Sequence, residues 1–535
     1  DERPERAMSA VRRMIGACRH RGPDGTGEMC IPLPGDRKNL VFGHARLAII
    51  DLTECAAQPM HDAASGSWLV YNGEIYNFHD LRAKLEKAGY SFFSTGDTEV
   101  LLKALVEWGE SCLAELRGMY AFAFWDGQRK RLVLGRDPLG IKPLLISRFG
   151  DTLLFASEFR ALRDSELGRF TINPAAVASY LTYGAIIEPL TVASEAFAVP
   201  PGSVVIVNAD GKVSPPRRFL SVEDIIRGGR RCPSSVSFRE AREEIRSELA
   251  RSVREHLVSD VPVGIFLSGG IDSSIIATLA DRADVAQEVR YLTVGFPEQD
   301  FSEVEYSKIV VQNLRGKHEV INLTPAELSR VLPQALEAVD QPTVDGINTY
   351  VMSRVAANLG LKVLLSGLGG DEVFGGYTTS WKTPLLSRHP FLISSVASVR
   401  QKLPVGNVAQ WHKLARAERM HILRDAYLLH RSIRWKDATS YFPLNSIPPD
   451  HPGIPPETWS DLANAHEEED FYQIAFLEMS FYMRNQLLRD ADIFGSAHSV
   501  EIRVPFLDLD LIRQACKYPH SFHMTLLKTW FSISN

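Results

Sequence analysis

The sequence has little cysteine, no long apolar run and no excess of basic residues, and each shortage excludes a class of protein. Six cysteines are scattered over 535 residues, without the paired spacing that holds zinc or builds a disulfide framework. No run of about 18 apolar residues predicts a membrane span. The formal net charge of −6 gives no reason to expect nucleic acid as a partner. We expect a cytoplasmic protein with reduced thiols.

The chain is too long for one hydrophobic core, and its pattern changes partway along. At 535 residues it predicts two domains or more. Residues 1–219 are rich in strand-forming residues, with a few amphipathic helices, and predict an α+β domain. The polar stretch 220–236, with its Arg-Gly-Gly-Arg-Arg run, predicts a linker. In residues 237–535 short apolar strands alternate with helices, which predicts an α/β domain with a mostly parallel sheet.

Three helix starts in the second half carry a capping pattern. Ser237, Ser302 and Thr324 are each followed three residues later by glutamate. A serine or threonine and a glutamate at this spacing can each bond the backbone N–H at the other's position. After Thr324, a proline stands at the first helical position, where its missing N–H costs nothing.

The strongest local signal is the glycine- and serine-rich turn at 266–274, Phe-Leu-Ser-Gly-Gly-Ile-Asp-Ser-Ser. It lies between a buried strand and a helix, where glycine allows close approach and the helix N-terminus attracts anions. The turn therefore predicts a phosphate or pyrophosphate site, although it could be merely structural. It is not a Walker A loop, since GxxxxGK[ST] is absent from the sequence. The pattern resembles the pyrophosphate loop of ATP pyrophosphatases, which cleave ATP to AMP and pyrophosphate while adenylylating a substrate.

A second glycine-rich loop follows another apolar strand at 366–377 and contains Asp371 and Glu372. Adjacent carboxylates in such a loop suit magnesium, a hard cation whose oxygen ligands are often shared with phosphates. Taken alone, an Asp-Glu pair is usually a solvated loop. Two such loops at two strand ends favour a nucleotide site.

Together these loops resemble the synthetase half of the asparagine synthetase family. A late block, Val-Glu-Ile-Arg-Val-Pro-Phe-Leu-Asp at 500–508, matches that family, and blocks in the first half resemble its glutaminase domain. The resemblance covers nearly the whole chain, with the blocks in the same order. The blocks of the first half are 19–25, 46–51, 71–77, 94–99 and 135–143.

For the first half the resemblance implies a class II glutamine amidotransferase with a four-layer αββα fold of the Ntn type. It implies that Arg46 holds the glutamine carboxylate, and that Glu74 and Asp97 bind the glutamine amino group. A planar guanidinium suits a carboxylate. Asn72 and the N–H of Gly73 would form the oxyanion hole and act in catalysis. Ile49 would complete the glutamine site.

For the second half the resemblance implies ATP binding, adenylylation of a carboxylate and attack by ammonia. Asp272 and Asp371 would hold Mg²⁺ and act in catalysis. Adenylylation supplies the leaving group that a carboxylate lacks. The residues implied to contact ATP and its pyrophosphate are Leu267, Ser268, Gly269, Gly270, Asp272, Ser273, Val294, Ser366 and Gly367.

The sequence departs from the family pattern in three places. The family's nucleophile is an N-terminal cysteine, whereas this sequence begins at Asp1; we expect about a dozen preceding residues, cysteine first, although a lost glutaminase is the alternative. The family's late Arg-Pro-Lys-x-Gly-Phe stretch is absent, and Lys517 and Lys528 are weak substitutes for its lysine. Leu368 stands where many members carry an acid, which leaves the acceptor carboxylate open.

The leading hypothesis is a glutamine-hydrolysing asparagine synthetase with aspartate as acceptor. An alternative within enzymes is a related amidotransferase or a β-lactam-synthetase-like ligase that acts on another carboxylate. From a different class, the chain could be an inactive binding homologue, which the complete loop at 268–274 disfavours. A plain ATP pyrophosphatase such as argininosuccinate synthetase is disfavoured, because it would not account for the glutaminase-like first half. The resemblance also leads us to expect a homodimer.

Overall fold

The computed structural model describes residues 4–33, 38–283, 289–295, 303–400, 422–433, 453–463 and 469–523, together with Leu414 and Met420. Its first half contains antiparallel sheets, and its second half contains a parallel sheet covered by helices. No described helix combines the length and apolar character that a membrane span requires.

One large antiparallel sheet and two small ones form the middle of the first half. The strands, in chain order, are β1 (Gly25–Pro32), β2 (Asn39–Arg46), β3 (Met60–Asp62), β4 (Ser67–Ile75), β5 (Gly118–Asp126), β6 (Arg131–Arg136), β7 (Leu145–Phe149), β8 (Thr152–Ala156), β9 (Ala196–Ala198), β10 (Ser203–Asn208) and β11 (Arg217–Arg218). The large sheet has the order β11-β10-β6-β5-β4-β3, while β1-β2 and β8-β7-β9 form the small sheets.

The sequence of β5 explains why this domain has layers on both sides of its large sheet. Side chains alternate between the two faces of a strand, and both faces of β5 are buried. Phe122 and Phe124 pack against helices, whereas Ala121 and Ala123 pack against the small sheets. Further helices cover the outer face of β7-β8-β9. The predicted four-layer αββα arrangement is confirmed. The helices are α1 (Pro4–Ala17), α2 (Phe78–Lys87), α3 (Asp97–Trp108), α4 (Phe159–Asp164) and α5 (Pro174–Tyr183).

The segment predicted as a polar linker contains helix α6 (Val222–Arg230). Ser221 and Asp224 form a capping box at its start, a signal that the glycine-rich run at 227–231 obscured. Val222, Ile225 and Ile226 are buried in a large hydrophobic core to which both halves contribute. Tertiary packing has therefore overridden the weak helix propensity of two glycines.

The second half is built on a five-stranded parallel sheet, as the alternation of strands and helices predicted. Its strands are β12 (Val263–Phe266), β13 (Val289–Gly295), β14 (Lys317–Asn322), β15 (Val363–Leu365) and β16 (Glu501–Arg503). The order is β14-β13-β12-β15-β16. The chain therefore leaves β12 toward one side first and returns to its other side later. In such sheets ligands bind at this switch point, outside the carboxyl ends of the two central strands.

Helices cover both faces of this sheet, and two of the three predicted capping boxes are confirmed, at Ser237 and Thr324. Ser302 lies outside the described residues, and the helix that follows begins at Val304. A π-helical segment, Glu478–Leu488, interrupts the last long helix. The remaining helices are α7 (Phe238–His256), α8 (Ile271–Arg282), α9 (Val304–Val311), α10 (Pro325–Ala338), α11 (Ile347–Asn358), α12 (Gly370–Phe374), α13 (Thr379–Arg388), α14 (Pro390–Arg400), α15 (Leu423–Arg431), α16 (Pro456–Ala463), α17 (Asp470–Leu477), α18 (Arg489–Ser496) and α19 (Leu509–Ala515).

Candidate functional site

All the residues predicted to bind glutamine line one cavity of about 360 Å³ in the first half. They come from the end of β2 and the loop after it, from the last part of β4 and from the start of α3. The cavity also reaches Lys142 and, from the second half, Glu501, so it extends to the boundary between the halves. The predicted residues at the cavity are Arg46, Ile49, Asn72, Gly73, Glu74 and Asp97.

Asp97 is the first residue of α3 and is fixed by two hydrogen bonds. Its Oδ2 accepts from the Ile75 N–H at 2.9 Å and from the Tyr71 hydroxyl at 2.8 Å. Burial raises the pKa of Asp97 to about 6, and these two donors oppose the rise. The two donors hold the carboxylate at the wall of the cavity, where it can pair with an ammonium group.

Arg46 at the end of β2 is braced by the loop that follows it. Its Nη1 donates to the Thr53 carbonyl at 2.8 Å, and its Nη2 donates to the Asp51 carbonyl. The side chain of Asp51 in turn accepts from the Thr95 N–H at 2.8 Å. The guanidinium is thus held beside the entrance to α3, in reach of the cavity that Asp97 lines.

Asn72 and Gly73 lie in the last part of β4, opposite β5. Gly73 has a φ of 146°, and a Cβ there would lie 2.0 Å from the Met119 carbonyl oxygen. Only glycine fits this close approach of two strands. The Asn72 Nδ2 makes one long contact, 3.5 Å to the Ser157 hydroxyl, which leaves it able to donate to a ligand.

The two glycine-rich loops after β12 and β15 line a second cavity of about 550 Å³. They meet because these strands are neighbours at the switch point of the sheet. Leu267, Gly269 and Val294 are not among its lining residues, and Leu267 is buried with its N–H bonded to the Leu292 carbonyl. The predicted residues that do line it are Ser268, Gly270, Asp272, Ser273, Ser366, Gly367 and Asp371.

The first loop is organised by its serines at the N-terminus of α8. The hydroxyls of Ser268 and Ser273 lie 3.0 Å apart, and the Gly270 N–H donates to the Ser268 hydroxyl at 3.1 Å. Gly269 adopts a φ of +81°, the left-handed region that favours glycine. The loop presents hydroxyls and N–H groups to the cavity, which are the donors that a phosphate requires.

Acidic side chains from both loops line this cavity, namely Asp272 from the first and Asp371 and Glu372 from the second. Burial, followed by repulsion from Asp371 and Glu372, raises the pKa of Asp272 to about 8. Burial raises the pKa of Glu372 to about 7. A Cβ at Gly370 would lie 2.4 Å from the Asp272 carboxyl carbon, so the glycine leaves room for that carboxylate. Carboxylates crowded in this way are stabilised by a cation.

These residues fit magnesium in the form that nucleotide enzymes use. In the described parts of the chain, no cluster of three or more His, Cys, Asp or Glu side chains could hold a metal by itself. Mg²⁺ commonly binds through one or two carboxylates and shares the phosphates of a substrate. Asp272 and Asp371 bring two carboxylates to one cavity beside the serine-rich loop, and a donor set of that kind would fit Mg²⁺.

The sequence analysis missed the connection between the two cavities, which is made by Arg503. This fully buried residue of β16 forms an ion pair with Glu74, with Nη2 3.0 Å from Oε1. It also binds Glu501, with Nε 2.9 Å from Oε1. Its carbonyl oxygen accepts from the Ser366 N–H at 2.8 Å. One residue therefore holds Glu74 at the glutamine cavity and the start of the second nucleotide loop.

Other charged residues of the family blocks continue this connection. Arg21 lies 2.7 Å from Asp492 and 2.8 Å from Glu158. Lys142 lies 3.4 Å from both Asp492 and Glu501. The family resemblance assigned no role to Arg21 in block 19–25 or to Lys142 in block 135–143. A charged residue without a role in such a block was the available signal for an ion pair, because buried charges need partners.

Two of the residues at which the sequence departs from the family pattern, Leu368 and Lys517, lie among the described residues. Leu368 lines the nucleotide cavity, where it presents no acid. Lys517 donates to Gln514 at 2.8 Å and is not among the lining residues of that cavity. Lys528 and the residues around it lie outside the described part of the chain.

Comparison with known proteins agrees with the two sites. Residues 2–219 match the glutamine amidotransferase domain family, and residues 244–529 match the asparagine synthase family. Asparagine synthetase [glutamine-hydrolyzing] 1 of Bacillus subtilis is 31% identical over 94% of this chain and 76% of its own length. A putative asparagine synthetase [glutamine-hydrolyzing] of Mycobacterium tuberculosis is 32% identical over 98% of this chain and 81% of its own length.

Asparagine synthetase B [glutamine-hydrolyzing] of Escherichia coli is 32% identical over 68% of this chain and 61% of its own length. Among solved structures, the glutamine phosphoribosylpyrophosphate amidotransferase of B. subtilis aligns with 68% of this chain and 74% of its own, with a TM-score of 0.30 and 16% identity. A structural likeness of that size adds nothing to the assignment. The sequence matches carry it: the chain belongs to the asparagine synthase family, with an amino-terminal glutamine amidotransferase domain.

Proposed function

We propose that the protein is an ATP-dependent, glutamine-hydrolysing amidotransferase whose acceptor is L-aspartate. Glutamine is hydrolysed to glutamate and ammonia in the first half. In the second half the acceptor carboxylate attacks the α-phosphate of ATP, which releases pyrophosphate and gives an acyl-adenylate. Ammonia then displaces AMP and forms the amide. The observation that carries the proposal is that one chain holds a glutamine-type cavity and a phosphate-and-acid cavity, joined by Arg503.

In the glutamine cavity we assign one set of charged residues to the carboxylate of glutamine and another to its ammonium group. Arg46 pairs with the glutamine carboxylate, and Asp97 and Glu74 receive its ammonium group. The side chain of Asn72 and the N–H of Gly73 donate to the oxyanion that develops at the amide carbon. The domain boundaries that go with this proposal are 1–219 for the glutaminase, 220–236 for the connection and 237–535 for the synthetase.

In the nucleotide cavity the loop at 268–273 binds the pyrophosphate part of ATP. Its hydroxyls and the N-terminus of α8 stabilise the negative charge that builds up on the leaving pyrophosphate. Asp272 and Asp371 would hold Mg²⁺, which neutralises phosphate charge when it is bound. We assign the AMP part to Ser366 and Gly367, which follow β15 and line the same cavity.

Leu368 affects how the acceptor reaction would proceed, because many family members carry an acid at this position. Leucine cannot accept the proton released when ammonia attacks, so another base must do so. Glu372 lies in the same cavity, receives a hydrogen bond from Tyr377 at 3.0 Å and has a pKa raised to about 7 by burial. That pKa suits a general base at neutral pH. A cytoplasmic location and a homodimer stay predictions.

The test is amide formation by the complete protein with ATP, Mg²⁺ and aspartate, with glutamine or ammonium as the nitrogen donor. Asparagine, AMP and pyrophosphate from both donors support the proposal. Asparagine from ammonium alone means that the glutaminase is inactive. If ATP cleavage depends on another carboxylate and not on aspartate, that carboxylate is the acceptor and the proposed adenylylation still holds.

A further inference from the structure

The segment that joins α7 to β12 in the second half contacts the glutamine site of the first half. This segment, residues 257–262, leads into β12 and from there into the loop at 268–273. Its Asp260 makes two hydrogen bonds across the boundary between the halves. The Asp260 N–H donates to the Ile49 carbonyl at 2.9 Å, and the Asp260 Oδ2 accepts from the Asp51 N–H at 2.7 Å. The proposed reaction gives Asp260 no role.

The two groups that Asp260 holds belong to the loop at 47–53, which braces Arg46. The carbonyl oxygens of Asp51 and Thr53 both accept from the Arg46 guanidinium. Other residues of this loop line the glutamine cavity together with Arg46. The direction of the guanidinium therefore depends on the shape of the loop.

The loop has a backbone conformation that needs support from its surroundings. Asp51 has a φ of 53°, in the left-handed region that residues other than glycine rarely adopt. Its carboxylate accepts from the N–H groups of Thr53 at 3.1 Å and Thr95 at 2.8 Å, so the first half holds the side chain. The carboxylate of Asp260 holds the backbone, through a charge-assisted hydrogen bond from the Asp51 N–H. Without Asp260, the strained residue loses the contact that fixes its backbone.

Two cations of the second half support the same arrangement. Lys362, directly before β15, lies 2.8 Å from the carboxylate of Asp24, which accepts from the Ala48 N–H of the loop at 2.7 Å. Arg503 donates to the Val258 carbonyl at 2.6 Å, so the residue that joins the two cavities also fixes the segment at 257–262. The second half therefore holds the loop from the starts of two strands of its sheet.

We propose that Asp260 is a positioning residue for glutamine: it fixes the loop at 47–53 in the shape that directs Arg46 to the carboxylate of the bound amino acid. Asp260 is not among the lining residues of the glutamine cavity or of the nucleotide cavity, so it acts through Arg46. The second half of the chain thus completes a site that the first half carries. The proposal rests on the proposed function, because it takes Arg46 as the partner of the glutamine carboxylate.

The test measures glutamine binding to the complete protein by calorimetry, which requires no hydrolysis. In Asp260→Ala the Kd for glutamine should rise about 10-fold, the lower end of the range for a lost hydrogen bond to a charged group. The KM for ATP and the rate with ammonium should stay within about twofold. Asp260→Asn keeps an oxygen that can accept from the Asp51 N–H and should restore most of the affinity. Asp260 is exposed, so neither change removes a side chain from the core.

A double-mutant cycle shows whether Asp260 acts through Arg46. Arg46→Gln alone should raise the Kd for glutamine by about 10- to 100-fold. Asp260→Ala should add less than about twofold in that background, because the group that it positions is already gone. Asp510→Ala is the matched control: it removes another carboxylate of the second half, which lies 3.2 Å from Arg117 of the first half, and it should leave the Kd within about twofold.

An unchanged Kd for glutamine in Asp260→Ala overturns the inference and leaves the proposed function in place. So do losses of affinity that add in full in the double variant, since Asp260 then acts independently of Arg46. Equal weakening in Asp510→Ala also overturns it, because any contact between the halves would then have the same effect. If the unaltered protein binds no glutamine, the proposed function fails and the inference fails with it.

Discussion

Replacing Arg503 by lysine should impair glutamine-dependent synthesis far more than ammonium-dependent synthesis. The arginine pairs with Glu74 at 3.0 Å and with Glu501 at 2.9 Å, and its Nη1 donates to the carbonyls of His256 at 2.8 Å and Val258 at 2.6 Å. The single nitrogen of lysine cannot serve all four partners. Breaking a buried pair costs about 3–5 kcal/mol, so the free energy of unfolding should fall by about that amount.

The effect on function follows from the position of Glu74 at the glutamine cavity. Without its guanidinium partner, this carboxylate is no longer fixed against the ammonium group of glutamine. Loss of one hydrogen bond to a charged group costs about 1.5–3 kcal/mol, so kcat/KM for glutamine should fall by about 10- to 100-fold. The ammonium-dependent reaction does not use Glu74 and should change by less than about threefold.

Steady-state kinetics with each nitrogen donor and denaturant unfolding measure the two effects. Arg251→Lys is the matched control, since Arg251 pairs with Asp508 at 2.7 Å and Glu255 at 2.8 Å within the second half. That variant should lose stability without a glutamine-specific defect. Equal losses with glutamine and ammonium in Arg503→Lys, or no loss with glutamine, would refute the reasoning.

Three other changes test separate parts of the account. Asp371→Asn should abolish pyrophosphate exchange while glutamine hydrolysis stays within about twofold; persistent exchange would remove Asp371 from the magnesium site. Gly370→Ala places a Cβ 2.4 Å from the Asp272 carboxyl carbon and should raise the KM for ATP, whereas Gly16→Ala, with no atom within 4 Å of the added Cβ, should not. Burial lowers the pKa of His256 to about 3, so acid protonates the unfolded chain first. The contribution of neutral His256 to the free energy of unfolding should be fully present above about pH 6.5. Below that pH it should fall by up to about 1.4 kcal/mol per pH unit. His256→Phe should flatten that slope in urea titrations, and an unchanged slope would contradict this.

The features that sequence predicted well are those set by neighbouring residues. The buried strand before residue 268 and the glycines and serines after it predict a tight turn into a helix, and the structure has that turn between β12 and α8. Aromatic residues in 118–126, with turn residues nearby, likewise favour a strand, and β5 spans those residues. The four layers came from family resemblance instead, because pairing of sheets depends on contacts that a single strand does not reveal.

Long-range contacts account for what sequence did not predict. Arg21 and Asp492 are 471 residues apart in the chain. Glu74 and His256 are also remote from Arg503 in the sequence, so no local pattern predicted these contacts. Helix α6 was missed because its glycines indicate a linker, and only burial of Val222 and its neighbours stabilises it. The assignment of Leu267 and Val294 to the nucleotide site rested on resemblance, and neither side chain lines the cavity that the structure shows.

The central claim is that a carboxylate of the acceptor attacks the α-phosphate of ATP in the cavity between 268–273 and 366–377. The most direct measurement uses aspartate with heavy oxygen in its β-carboxylate, with ammonium as donor, and mass analysis of the nucleotide product. An acyl-adenylate predicts one heavy oxygen in the phosphate of AMP for each asparagine formed, with unlabelled pyrophosphate. ADP as the nucleotide product, or AMP without heavy oxygen, would contradict the account.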